Sequence, residues 1–244
     1  AIPGCEASRH DHTNSFFCDY NGSEGDISQS LSIITNRDGI AQLNHPGRYS
    51  RSTAWYVDLY TTYDILFGLE VYNQGDRYPD SREIWDGILT QTMPERPVWA
   101  TSCDDMHNTG HLFRNWQVLL TPDGALDSDA VRDALVNGAF YAVYDASGDQ
   151  SDAVGVDSVT VGTDTIRVYP STADAPVRWV SEGATVATGA EIVLSNTDSL
   201  GSYVRAEMRG AGTSRTLLQP LGLADAVELT PAKQRRSMGL SGPE

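Results

Sequence analysis

At 244 residues the chain is long enough for one large domain, or for a medium domain with a small companion. Its formal net charge of −16, from 33 acidic and 17 basic residues, argues against a nucleic-acid backbone or an anionic membrane surface as partner. Hydrophobic residues make up 40% and no run approaches the roughly 20 apolar residues that span a bilayer, so a soluble protein, cytoplasmic or secreted, is expected. The three cysteines, Cys5, Cys18 and Cys103, lie far apart without a CxxC pair, which indicates neither a zinc knuckle nor a disulfide framework.

The first twenty residues, AIPGCEASRHDHTNSFFCDY, begin with turn character at Ile2-Pro3-Gly4 and then place Glu6, His10 and His12 within seven residues. That is a denser set of metal-ligating types than a solvated loop needs. Residues 26–39 carry Ile27, Leu31 and Ile34 at helical spacing and stop at Asp38-Gly39. Ile40-Ala41-Gln42-Leu43 reads as a short strand, which sets His45 at its C-terminal mouth within Asn44-His45-Pro46-Gly47-Arg48. Pro46 fixes the chain direction there, and Arg48 carries the bidentate fork that clamps anions. An amphipathic helix is expected over 55–63, then a buried strand over 64–73 that ends in Glu70 and Asn73. Asp80-Ser81-Arg82-Glu83 has the form of a capping box, ahead of a helix with Ile84, Trp85, Ile88 and Leu89 on one face.

The strand that follows, Val98-Trp99-Ala100-Thr101, runs into Cys103-Asp104-Asp105-Met106-His107. Residues two apart share a face of extended backbone, so Asp105 and His107 are expected to point the same way. A carboxylate and an imidazole are donors that Zn, Mn or Fe accepts. Cys103 shares that face and is expected to be a small buried residue, as free cysteines usually are; His111 is expected at the surface. A strand over 116–120, a helix capped by Asp127 or Ser128, and a strand over 140–144 close the first half. This alternation predicts a parallel sheet or barrel.

A run rich in Ser, Asp and Gly at 146–153 reads as a linker. Beyond it, five period-two segments (156–161, 165–169, 177–180, 191–194 and 202–208) predict a small antiparallel sandwich with no catalytic cluster. Three units are therefore expected: 1–145, a β-sandwich over 154–224, and a mobile tail over 225–244.

The order Gly4-x-Glu6, His12-x-Asn14, Asn44-His45-Pro46-Gly47-Arg48 and Asp105-x-His107 resembles the PHP family, named for polymerase and histidinol phosphatase. It is most similar to the branch of metal-dependent phosphoesterases and esterases labelled CehA-like, and the resemblance runs from Ile2 to about Tyr144. The family's opening His-x-His strand has no counterpart here. The resemblance implies a PHP-type distorted β/α barrel, N-terminally incomplete, over 1–145, with Glu6, His12, His45, Asp105 and His107 as metal ligands. Glu70 and Asn73 match the family's Gly-x-Glu-Val-x-Asn pattern, in roles beside the ligands rather than as ligands.

Five candidate ligands exceed the three or four that one ion takes, so two or more divalent ions (Zn, Mn or Fe) are expected. Closely spaced ions activate water and neutralise an oxyanion. With His45, Arg48, Asp105 and His107 as the catalytic group, the expected reaction is hydrolysis of a small anionic phosphate ester. Carboxylic-ester or carbamate hydrolysis is the alternative within the same family, and a metal-binding or interaction domain without turnover is the alternative outside it.

Overall fold

In the computed structural model, residues 1–22, 25–122 and 126–223 are described, and the expected tail at 225–244 lies outside them. Strands β1 (Gly4–Ala7) and β2 (Thr13–Phe16) pair antiparallel. Helix α1 (Ile27–Asn36) leads to β3 (Ile40–Leu43), which lies antiparallel to β2. From there α2 (Thr53–Thr62) carries the chain to β4 (Leu66–Asn73), and α3 (Ser81–Thr92) to β5 (Trp99–Cys103). Both crossovers return the chain to the same sheet, so β3, β4 and β5 run parallel, and the five strands lie in chain order. β4 is buried along its whole length, as a central parallel strand covered on both faces must be.

Of the two helix caps expected from the sequence, Asp127 forms and the Asp80 box does not; Asp26 and Ser52 cap α1 and α2. The Asp26 carboxylate accepts the Gln29 amide at 2.8 Å, and Ile27, Leu31 and Ile34 form the buried face of α1. That helix ends at Asn36 because Asp38 turns left-handed (φ 56) and Gly39 returns its amide to the Ile34 carbonyl. A Cβ on Gly39 would lie 2.7 Å from Cys18 Sγ, so only glycine fits the turn. The capping box at Asp80 does not form. Asp80 is already helical (φ −64, ψ −15) and its side chain makes no cap hydrogen bond. The Ser81 and Arg82 amides donate instead to the Tyr78 and Pro79 carbonyls of the preceding turn.

The expected β/α barrel is not the architecture. A barrel needs a helix after each strand and closure of the last strand on the first; among the described residues the strands lie in three sheets and no barrel closes. After β5 the chain makes no helical crossover. It passes through a short 3₁₀ turn (Thr109–His111) into β6 (Asn115–Leu119), then through α4 (Ser128–Val136, capped by Asp127) to β7 (Phe140–Tyr144), antiparallel to β6. The second half shares one of its sheets with the first. β8 (Val156–Val161), β9 (Thr165–Pro170) and β12 (Glu191–Val193) make a three-stranded sheet. β10 (Val177–Ser181), β11 (Ala184–Thr188), β13 (Tyr203–Arg209), β14 (Arg215–Leu218) and β15 (Leu221–Gly222) join β6 and β7 in one seven-stranded sheet. The bridge is β14, which pairs with β7 on one side and β13 on the other.

Side chains seal the joint between the two halves. Gln219 is buried and acts as a piece of strand: its Oε1 accepts the Ala100 amide at 2.7 Å and its Nε2 donates to the Ala100 carbonyl at 2.9 Å. The open edge of β5 is satisfied in this way rather than left to aggregate. On α3, Trp85 is fully buried and donates Nε1 to the Val98 carbonyl. One helical residue on, Asp86 accepts the Arg205 guanidinium through both oxygens, at 2.9 and 2.7 Å, and the Tyr203 hydroxyl at 2.7 Å. Arg205 also meets Glu207, and Arg178 meets Glu207 from the other side. These buried charges are mutually neutralised, which is the condition for keeping them out of water.

Candidate metal centre

Three of the sequence-predicted ligands converge. One carboxylate oxygen of Glu6 and one ring nitrogen each of His12 and His45 lie within 4.8 Å of one another. Each comes from a different place on the five-stranded sheet: Glu6 from β1, His12 from the residue before β2, His45 from the loop after β3. Pairing β1 with β2, and β2 with β3, brings the three together, so the sheet register rather than sequence proximity makes the cluster.

Glu6 Oε1 faces His12 Nδ1 at 3.0 Å, and that nitrogen is 3.2 Å from His45 Nε2. Asn44 Nδ2 donates to Glu6 Oε1 at 3.0 Å and to Asn14 Oδ1 at 2.9 Å, which fixes the carboxylate from behind. His45 is almost wholly buried and left-handed (φ 32, ψ 61), a strained conformation for a residue ahead of proline. Glu70 holds it there. Its Oε2 accepts the His45 backbone amide at 2.6 Å and lies 2.9 Å from Nδ1. With the proton of the neutral ring on Nδ1, Nε2 is left as the lone pair facing the cluster, the arrangement in which a carboxylate orients a ligating histidine. Gly47 permits the tight passage that follows, since a Cβ there would lie 2.9 Å from the Ser81 amide. Tyr49 and Tyr78 both stack on the imidazole, with ring centroids 6.2 and 5.6 Å away.

The electrostatics favour metal-binding protonation states at His12. Burial lowers its pKa, Glu6 opposes that shift, and the nearby charges of His45 and Arg48 reinforce it. The imidazole is therefore neutral, and its lone pair available, at neutral pH. Burial raises the pKa of Glu70, against hydrogen bonds from His45 and Asn73. Burial likewise raises the Tyr49 pKa, so that phenol stays protonated beside the cluster.

Asp105 and His107 do not join the three. The strand ends at Cys103 and Asp105 turns left-handed (φ 43), so the pair leaves the sheet away from the other three while its two side chains still meet each other. Asp105 is nonetheless linked to the cluster: its Oδ2 meets Asn73 Nδ2 at 3.2 Å, and the same nitrogen lies 3.2 Å from His45 Nδ1 and from both Glu70 oxygens. The Asn73 amide oxygen is buried without a hydrogen-bond partner. His107 has a side chain 67% exposed, 3.5 Å from Asp105 Oδ1, and its Nδ1 is 2.7 Å from the Asp105 carbonyl. Gln74 Nε2 touches both residues.

Other residues fall into place around these. Both ring nitrogens of His10 face protein atoms, the Asp11 carbonyl at 2.7 Å and Ser30 Oγ at 2.8 Å, so His10 stands apart from the cluster. Cys103 Sγ meets the amides of Gln42 and Gln117, and burial raises the pKa of its thiol strongly. His111 is half-buried, with Nδ1 accepting the His107 amide at 3.2 Å. Arg48 is exposed and lies over the Tyr49 ring at 5.8 Å. Sequence reasoning missed Asp104, whose carboxylate accepts the amides of Phe113, Arg114 and Asn115 and ties down the loop bearing His107. It also missed Tyr49 and Tyr78, for which no pattern in the sequence gives a signal.

No family model and no curated protein matches the chain. Among the described residues, no helix is long and apolar enough to cross a membrane.

Proposed function

We propose that this chain is a metal-dependent hydrolase acting on small anionic phosphate esters. The observation that carries the reading is the convergence of Glu6, His12 and His45 within 4.8 Å. Two imidazoles and a carboxylate are the donor set of a catalytic rather than a structural zinc site. A divalent ion bound there supplies Lewis acidity and a water of lowered pKa.

The chain's own residues do the rest. Glu70 holds the Nδ1 proton of His45 and keeps Nε2 aimed at the cluster. Asn44 holds the Glu6 carboxylate against rotation. Arg48 offers its fork to phosphate oxygens. Asp105 and His107, carried on the loop anchored by Asp104, are the ligands proposed for a second ion, with Asn73 joining that pair to His45.

The test is hydrolysis of p-nitrophenyl phosphate by the full chain after loading with zinc or manganese, with p-nitrophenyl acetate in parallel. Phosphate-ester turnover that disappears with EDTA and returns with metal is expected. Turnover of the acetate alone would move the activity to carboxylic esters. Metal binding without turnover of either would contradict the hydrolase reading.

A further inference from the structure

In a protein with a formal charge of −16, two of the arginines close to the cluster spend their charge on neighbouring carboxylates. Arg51 pairs with Asp11 at 2.8 Å and Arg82 with Asp76 at 2.6 Å. Two nearby arginines do not. Among the described residues no carboxylate pairs with Arg48 or Arg77, and both are exposed.

The two sit on different flanks of the cluster. Arg48 lies over Tyr49, whose ring is 6.1 Å from His12 and whose hydroxyl accepts the His12 amide at 3.1 Å. Arg77 lies over Tyr78 at 5.2 Å, and its Nη1 donates to Gln74 Oε1 at 3.0 Å. Gln74 in turn holds Asp105 and His107 through its amide nitrogen. Each guanidinium thus rests on a tyrosine that stacks against His45, one on the His12 side and one on the Asp105 side. An exposed cation braced by an aromatic face and lacking a carboxylate partner keeps its charge for a ligand.

Resting on the hydrolase reading above, we infer that the substrate carries a second acidic group besides the scissile phosphate, and that Arg77 binds it while Arg48 binds the phosphate. Arg77 has no part in the sequence pattern that singled out Arg48; its placement beside Gln74 and Tyr78 is what assigns it.

The experiment compares 4-carboxyphenyl phosphate with phenyl phosphate on the zinc-loaded full chain, by turnover and by calorimetric binding, in wild type and Arg77→Ala. Wild type is expected to favour the carboxylated probe by about tenfold, the scale of one charge-assisted contact at a part-exposed site. Arg77→Ala is expected to bring that preference close to unity. Equal affinity and turnover of the two probes in wild type would overturn the assignment, as would a preference that survives in Arg77→Ala. Because binding is read separately, an Arg77-dependent preference without hydrolysis would sink the hydrolase reading and leave the anion-binding assignment standing.

Discussion

His45→Ala is expected to lower metal affinity by more than about 100-fold, since losing a group that merely orients a ligand already costs about 10- to 100-fold. Phosphate-ester turnover should fall with it. The substitution also strips Glu70 of the ring hydrogen bond that opposed burial, so that carboxylate shifts further toward its protonated form. A carboxylate with a raised folded pKa adds stability that is present at low pH and lost as pH rises through the folded value. The metal-free His45→Ala chain should therefore be more destabilised near neutral pH than near pH 5. Glu6→Gln separates the two effects: Glu6 is part-exposed and distant from Glu70 in the network, so this variant should lose metal with an almost unchanged urea midpoint. Isothermal titration with zinc, alongside urea unfolding of both variants, reads out each arm. Full zinc affinity in Glu6→Gln would remove Glu6 from the ligand set.

Arg205→Met is expected to cost about 3–5 kcal/mol of stability, the penalty for breaking a buried ion pair by removing one partner. Asp86 and Glu207 would each keep a carboxylate in the interior with its main counter-charge gone. Against burial, Arg205 and Arg178 hold the Glu207 pKa below the usual carboxylate value. A depressed folded pKa adds stability that is present above the unfolded value of about 4.5 and lost as pH falls through the folded one. Wild type should therefore lose this contribution on acidification, and Arg205→Met should show a flatter acid limb. Replacing Asp86 and Glu207 together with Arg205 by apolar residues should recover most of the loss, since an apolar set can fill the space as well as the charges do. Chemical unfolding decides: a change under about 1 kcal/mol in Arg205→Met would mean the triad is solvated rather than buried.

Local structure was legible where one stretch of sequence decides it. The Asp127 cap, the buried face of α1 and the apolar run of β4 all follow from neighbouring residues. The three candidate ligands Glu6, His12 and His45 were legible as residues, and pairing of β1, β2 and β3 brings them together. What failed depended on backbone turns and distant partners. Asp105 and His107 meet each other but stand apart from the other three, and Asp80 is already helical, so its carboxylate makes no cap. The barrel failed because βα spacing holds only from β3 to β5, and nothing local shows that β7 will pair with β14, some 70 residues on. Strands such as Ala184–Thr188, half-exposed and built of Ala and Thr around a single Val, carry too weak a pattern to register before their partners are known. Gln219, filling the edge of β5 from more than a hundred residues away, has no sequence signature at all.

Glu6, His12 and His45 are proposed as a metal site. The most direct test is a crystal of the full chain grown with zinc and measured at the zinc absorption edge. An anomalous peak within ligand distance of Glu6 Oε1, His12 Nδ1 and His45 Nε2, absent in Glu6→Gln crystals, is the predicted result. A well-ordered cluster without a peak, or a peak bound elsewhere on the chain, would contradict it.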